Sequence, residues 1–438
     1  MMEWYWALSL LLGAIVFLMA LGMPVALAFL AANIAGAWIF MGGGNGVILM
    51  LDNGFGALSR FALIPIPLFL LMGELFFHTG LGARMFNAID RLLGRVPGRL
   101  SYVTVIGGTG FATLSGSSMG STALLGSLMV PEMQARGYKH KMSIGPILGT
   151  GGLAIIIPPS ALAVLLATLA QIDVGALLIA GVIPGLMLAG LYVALIWLQT
   201  RIDPDAAPAY EVEHVALSRK LMLILRDVVP MSGVMVVVVI MMLYGIATPS
   251  EAAAFGALGV ILLAMAFRCM TWTAFRKSVE GALKVTLMAY LIVFGSATFS
   301  QLLAFSGASH GLITWATSFD LPPVAMLLAM FAVLLVLGMF MEQISIMLLT
   351  VPIFFPLAQS LGFDLIWFAL IMLLALEISF TTPPFGLLLF VMKGVAPKGT
   401  TMRDIYVAAL PFIYCSLILV ALLIMFPEIA LWLGARAG

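Results

Sequence analysis

Charge is what this chain most lacks. Only 9% of its 438 residues are Asp, Glu, Lys or Arg, while 63% are hydrophobic; ordinary soluble domains carry about 25% charged residues. A soluble fold of this size has no interior large enough for that apolar surface, so lipid has to be the solvent for much of it. Lys plus Arg (20) nearly balance Asp plus Glu (19), so net charge points to no nucleic acid and no acidic partner. Cysteine is scarce too: Cys269 and Cys415 each lie in or beside an apolar segment and read as buried small residues rather than a disulfide. No basic stretch precedes the first apolar run, which begins at Trp4, so the first helix is expected to persist as a membrane span. No phosphate loop of the G-x-x-x-x-G-K type is present, which excludes direct use of ATP by this chain. H-E-x-x-H is absent as well, which weighs against a metal hydrolase. The chain reads as a non-enzyme without a cofactor.

What is present is apolar sequence in crossing lengths. Full spans read near 5–21, 24–41, 62–79, 142–172, 176–199, 228–246, 250–267, 285–304, 365–392 and 405–426, against the ~20 residues that a crossing needs. Cations gather at Arg84 to Arg99, Arg136 to Lys141, Arg201 to Arg226 and Arg268 to Lys284, with a smaller group at Lys393, Lys398 and Arg403. Placing all five groups in the cytoplasm leaves Asp173, Asp320 and Asp364 outside, together with both termini. The expected location is a bacterial inner membrane, crossed many times.

Residues 100–131 carry no charge, yet basic residues flank them on both sides. As one helix this run would be about 48 Å long, well beyond the ~30 Å hydrocarbon core. A single crossing would also put one basic cluster on the wrong side. A helical hairpin over 100–136 that enters from the cytoplasm and turns near Ser115–Ser118 satisfies length and charge together. Irregular backbone at that depth has to be buried in protein or line a cavity. The following span, 142–172, is interrupted by Gly149-Thr150-Gly151-Gly152 and by Pro158-Pro159-Ser160, so it reads as a broken helix.

A shift of 225 residues superposes Pro24 on Pro249, Pro97 on Pro322, Pro131 on Pro356 and Pro158-Pro159 on Pro383-Pro384. Prolines occupy only 22 positions, so these coincidences mark an internal repeat. Opposite charge flanks then imply opposite directions through the membrane. The expected fold is an all-α polytopic membrane protein of two inverted-topology repeats, each with a re-entrant hairpin and a broken transmembrane helix. Repeat 1 covers 1–200: scaffold spans within 5–79, an interfacial helix 80–99, the hairpin, the broken helix and a span 176–199. A cytoplasmic linker, 201–227, follows. Repeat 2 covers 228–438: scaffold spans 228–304, an interfacial helix 306–320, a hairpin 321–363 with Glu342 near its turn, a broken helix 365–392 and a span 405–426.

Unwound helix frees carbonyl oxygens for a hard cation such as Na⁺, and half-helix N-termini suit a carboxylate. The expected cation ligands are Ser115, Gly116, Ser117, Gly149, Thr150, Gly152, Gly338, Glu342, Thr381 and Thr382. The expected substrate contacts are Ser117, Ser118, Thr122, Pro159, Ser160, Thr382 and Pro384. Glu377 precedes the second break and reads as a cation or proton carrier or as a brace. Glu74 and His78, one turn apart, read as a structural pair.

Leu114-Ser115-Gly116-Ser117 through Val130-Pro131-Glu132-Met133, Arg136-Gly137-Tyr138 and Ile155-Ile156-Ile157-Pro158-Pro159-Ser160 resemble the large membrane subunit of TRAP transporters. Gly338-Met339-Phe340-Met341-Glu342 and Leu376-Glu377-Ile378 with Thr382-Pro383-Pro384-Phe385-Gly386 share that resemblance. It implies sodium-driven import of an organic anion, usually a carboxylate. It also implies a small four-helix membrane subunit, a soluble periplasmic binding protein, and an elevator in which hairpins and broken helices move against a scaffold. The length leaves no room for a fused small subunit, which is expected as a separate chain. The family often has small residues in place of Ser118, Met119 and Gly120, and Asn in place of Leu388; both departures bear on the substrate. The alternatives are a stand-alone sodium/dicarboxylate symporter and, more remotely, a membrane-embedded enzyme or assembly factor.

Overall fold

A computed structural model describes residues 3–92, 94–115, 117–210 and 217–433. All regular structure among them is helical, as expected where lipid offers the backbone no hydrogen bonds. Seven helices are long and apolar enough to cross a membrane, and a bent pair, His140–Ile156 with Ala161–Ala170, makes an eighth. The first two expected spans form the shorter apolar helices Trp4–Ala20 and Val25–Phe40.

The stretch between the second and third expected spans holds a helix that the sequence reading passes over, Gly44–Leu58. Its glycines and Asp52-Asn53 look like loop. In the fold Met50, Gly54 and Ala57 are buried on one face, and a Cβ at Gly54 would collide with Phe294 of the helix Trp272–Phe305. Close approach explains the glycine. The chain then passes through a short 3₁₀ turn, Phe61–Leu63, into Pro65–His78, where Pro65 and Pro67 supply no donors. The corresponding stretch of the second half is instead one 34-residue helix, Trp272–Phe305.

Helices occupy the two stretches where interfacial helices are expected, Leu81–Leu92 and Ala308–Thr317. Leu81–Leu92 buries Leu81, Met85, Phe86 and Ile89 and keeps Arg84, Asp90 and Arg91 on its other side, the spacing of an amphipathic helix. Arg84 pairs with Asp227 at 2.5 Å and stacks 4.2 Å above the Phe267 ring.

The first hairpin consists of Arg99–Ser115 and Ser118–Ala135, the second of Pro323–Gly338 and Gln343–Ser360. Ser118–Ala135 and Gln343–Ser360 lie 225 residues apart at both ends. The pieces around the two breaks, Gly145–Ile156 with Ala161–Ala170 and Leu365–Thr381 with Leu387–Val395, follow the same order, with their C-terminal ends 225 residues apart.

One expected break is not a break. Gly149, Thr150, Gly151 and Gly152 lie inside the continuous helix Gly145–Ile156, all fully packed. Glycine weakens a helix by about 1 kcal/mol per residue, yet here each one lets a neighbour in: Gly149 meets Phe412 and Tyr192, Gly151 meets Thr122, and Gly152 meets Glu377. The helix ends only at Ile157–Ser160, where Pro158 and Pro159 cannot donate and Ser160 caps the next piece by accepting from the Ala163 amide at 3.2 Å.

The linker is shorter than expected at its C-terminal side, because helix resumes at Leu217 and continues through a π-helical turn, Ile224–Val228, into Val229–Leu243. Residues 203–210 form a strap across the base of the first hairpin. Gly98 and Lys139 donate their amides to Ala207 and Ala206 (3.1 and 2.9 Å), Arg99 donates to the Tyr210 hydroxyl at 3.0 Å, and Arg136 stacks 4.1 Å above the Tyr210 ring. Lys141 and Lys139 bind Asp203 at 2.7 and 2.9 Å, and their hydrogen bonds hold its carboxyl below the usual range.

Candidate functional site

Both hairpin tips reach one cavity of ≈ 220 Å³. Ser117, Ser118 and Met119 come from the first tip, and Glu342, Gln343 and Ile344 from the second. Ala161 and Leu162 enter just beyond the first break and Phe380 just before the second. Packed helices Pro65–His78 and Trp272–Phe305 supply the facing wall through Leu70, Glu74, Val285 and Ala289. Three helical pieces begin at this cavity, at Ser118, Ala161 and Gln343. Their unsatisfied amides turn positive partial charge toward it.

Most of the polar groups at and behind the cavity are hydroxyl and carboxylate oxygens. Ser117 caps its helix, its hydroxyl accepting from the Gly120 amide at 3.1 Å. Ser118 and Thr122, one turn apart on a buried face, have hydroxyls without a hydrogen-bond partner among the described residues; of the two, Ser118 is among the residues that line the cavity. Thr122 faces Gly151, and on the next position of the same helix Gly152 faces Glu377. Glu377 is 3% exposed. Tyr192 donates to its Oε1 at 3.2 Å and shares a 3.0 Å hydrogen bond with Ser416, while Oε2 has no partner among the described residues.

Besides Thr122, which packs against Gly151, the sequence-predicted residues that the structure describes in full fall into three groups. Ser117, Ser118 and Glu342 line the cavity. A second group stands behind the walls. Thr381 and Thr382 donate to the Ile378 carbonyl at 3.1 and 2.6 Å, and Ser160 donates to the Ile155 carbonyl at 2.6 Å. A hydroxyl that has donated its proton offers only lone pairs onward, which suits a cation better than an anion. Pro159 and Pro384 occupy the breaks, and the Pro384 carbonyl accepts from the Tyr406 hydroxyl at 2.8 Å. Gly338 ends its arm hard against Ser379. In the third group, Gly149, Thr150 and Gly152 free no carbonyls, since their helix is intact, and Thr150 donates to the Pro146 carbonyl. They are packing positions. Gly116 and the Ser115 side chain lie outside the described residues; the Ser115 backbone closes the first arm.

Two participants were not in the predicted set. Gln343 donates to the Leu376 carbonyl at 3.3 Å, tying the second tip to the second broken helix. Glu74 faces the cavity as well as His78, 3.2 Å away. The available signal was that Glu74 is the one carboxylate in its span.

Residues 12–429 match the family model of the tripartite ATP-independent periplasmic transporter, DctM component. The chain belongs to this family. It is a transporter permease and a multi-pass protein of a bacterial inner membrane. It is 33% identical over 391 residues to the C4-dicarboxylate TRAP transporter large permease protein DctM of Pseudomonas aeruginosa, covering 87% of this chain and 88% of the relative. It is 27% identical to the sialic acid TRAP transporter large permease protein SiaM of Vibrio cholerae, covering 94% and 95%. The ectoine TRAP transporter large permease protein TeaC of Halomonas elongata is 26% identical, covering 97% and 98%. The crystal structure of the Alcanivorax borkumensis YdaH transporter shares the fold, with a TM-score of 0.63 at 14% identity over 91% of each chain.

Proposed function

We propose that this permease imports an organic anion, a carboxylate, driven by the sodium gradient, as the large subunit beside a small four-helix membrane subunit and a periplasmic binding protein. The observation that carries this reading is the meeting of both hairpin tips and both broken helices at one small cavity. The Ser117 and Ser118 hydroxyls and the Glu74 and Glu342 carboxylates that line it, the Ser118 hydroxyl buried without a partner among the described residues, suit Na⁺, and the amide ends of three helical pieces suit a carboxylate. Relatives named for C4-dicarboxylate and sialic acid support the substrate class. In this reading the halves are inverted repeats, and the hairpins with the broken helices travel as an elevator against the wall that bears Glu74.

The test is uptake in liposomes holding this chain with its small partner, with and without the cognate binding protein. Uptake should need both the binding protein and sodium. Undiminished uptake with choline in place of sodium refutes sodium coupling. Robust sodium-driven uptake by this chain alone refutes the tripartite reading and favours a stand-alone symporter.

A further inference from the structure

Two carboxylates face the same cavity from opposite sides. Glu342 stands at the second hairpin tip, and Glu74 stands on the wall, in the helix Pro65–His78. Glu74 is held in place from two directions: His78 lies 3.2 Å away, and the surface of Gly281, on Trp272–Phe305, abuts the carboxylate so closely that a Cβ there would come within 2.7 Å of Oε2. No Lys or Arg is among the residues that line the cavity. Its other walls are mainly apolar, so the two acids are poorly screened from each other. The groups placed to moderate their repulsion are His78, beside Glu74, and the helix amides at the tips.

From this juxtaposition we infer that Glu74 is a coupling residue: a fixed negative charge that lets the hairpin tips dock against the wall only when a bound monovalent cation offsets Glu342. The inference rests on the sodium-driven elevator reading and assigns part of its coupling to the scaffold wall. Without the cation, bringing the tips to the wall sets carboxylate against carboxylate. With it, the pair brackets a positive charge and docking is favoured. Glu74 thereby opposes movement of a carrier that has lost its coupling ion, without having to bind substrate. It acts through Glu342 and is a positioning residue.

The experiment uses the full chain in proteoliposomes, with Cys269 and Cys415 replaced by Ser and new cysteines at Leu70 on the wall and Met119 on the first tip. Yield with a short thiol crosslinker is measured in sodium and in choline, without substrate, and sodium-dependent uptake is measured in parallel. In the Glu74 parent, sodium should raise the yield at least fivefold. In E74Q the yield should be high in both salts, while E74D should keep the sodium dependence, which a merely space-filling role for Glu74 would not produce. E342Q, made separately, should also lose the dependence, so the outcome does not hang on one variant folding. A sodium-independent yield in the parent, or full dependence in E74Q and E342Q, overturns the inference. If uptake requires sodium while crosslinking ignores it, the latch fails and the transport reading stands. Uptake that needs no sodium fails the transport reading itself.

Discussion

Replacing Gly338 by Ala tests how tightly the second hairpin is seated on the second broken helix. Gly338 ends the arm Pro323–Gly338, and a Cβ there would fall within the Ser379 side chain, with Ile346 Cδ1 another 3.5 Å contact. Ser379 is fully buried and donates to the Leu376 carbonyl at 2.8 Å. It can yield only by leaving its rotamer or moving its helix. Overpacking of this kind costs about 1–3 kcal/mol, and loss of the Ser379 hydrogen bond adds about 1 kcal/mol. Against this, Ala gains up to about 1 kcal/mol over Gly in helix propensity, less at a helix end. The net expectation for Gly338→Ala is destabilisation of about 1–3 kcal/mol, read as a thermal midpoint lowered by a few degrees in detergent. Ser379→Gly in the same chain should recover most of the loss, giving a coupling term of similar size in a double-mutant cycle. Gly190→Ala is the control: a Cβ there meets nothing within 4 Å, so stability should hold or rise by up to about 1 kcal/mol. A Gly338→Ala protein as stable as its parent, or a loss that Ser379→Gly leaves untouched, refutes the packing argument.

Four further outcomes follow from the same geometry. Ser118→Ala and Thr122→Val should each raise the sodium concentration for half-maximal uptake several-fold; unchanged sodium dependence in both removes those hydroxyls from the ion path. Tyr192→Phe removes from buried Glu377 its one donor among the described residues and should cost about 1–3 kcal/mol, seen in thermal melts as a shift that Ser416→Ala does not match. Cysteines at Val96, just before the first hairpin, and at Glu132, in the last turn of its second arm, both exposed, should react with an impermeant thiol reagent from the cytoplasmic face alone; labelling from opposite faces contradicts a re-entrant hairpin. Asp203 is held below its ordinary value by Lys141 and Lys139, so its contribution to the strap is complete above about pH 4, the unfolded carboxylate range, and is lost only as pH falls through the lower folded value. Amide exchange at Gly98 and Lys139, corrected for intrinsic rates, should therefore show constant protection from pH 7 to about 4.5, and loosening already at pH 6 would speak against the pairing.

Features governed by local chemistry were legible in the sequence. Length of apolar run, position of cations and prolines without donors suffice to mark a membrane protein, both helical hairpins, the two Pro-Pro breaks and the short helix before each hairpin, because each depends on a residue's own solvation and backbone limits. Ser117, Ser118 and Glu342 could be placed at the site for the same reason: polar groups at a turn within an apolar run have to face protein or a cavity. Gly149 to Gly152 show where that reasoning stops. Their low helix propensity reads as a break, but whether a glycine breaks a helix or admits a neighbour depends on Phe412, Thr122 and Glu377, which are distant in sequence. Gly44–Leu58 is helical for a similar reason, through the seat that Gly54 gives Phe294. Tyr192 and Glu377, 185 residues apart, share a hydrogen bond, and Glu74 and Glu342 share a cavity. Side-chain chemistry can nominate each of these residues, but the partner is chosen by the packing of whole helices, a property of the folded chain that no local window contains.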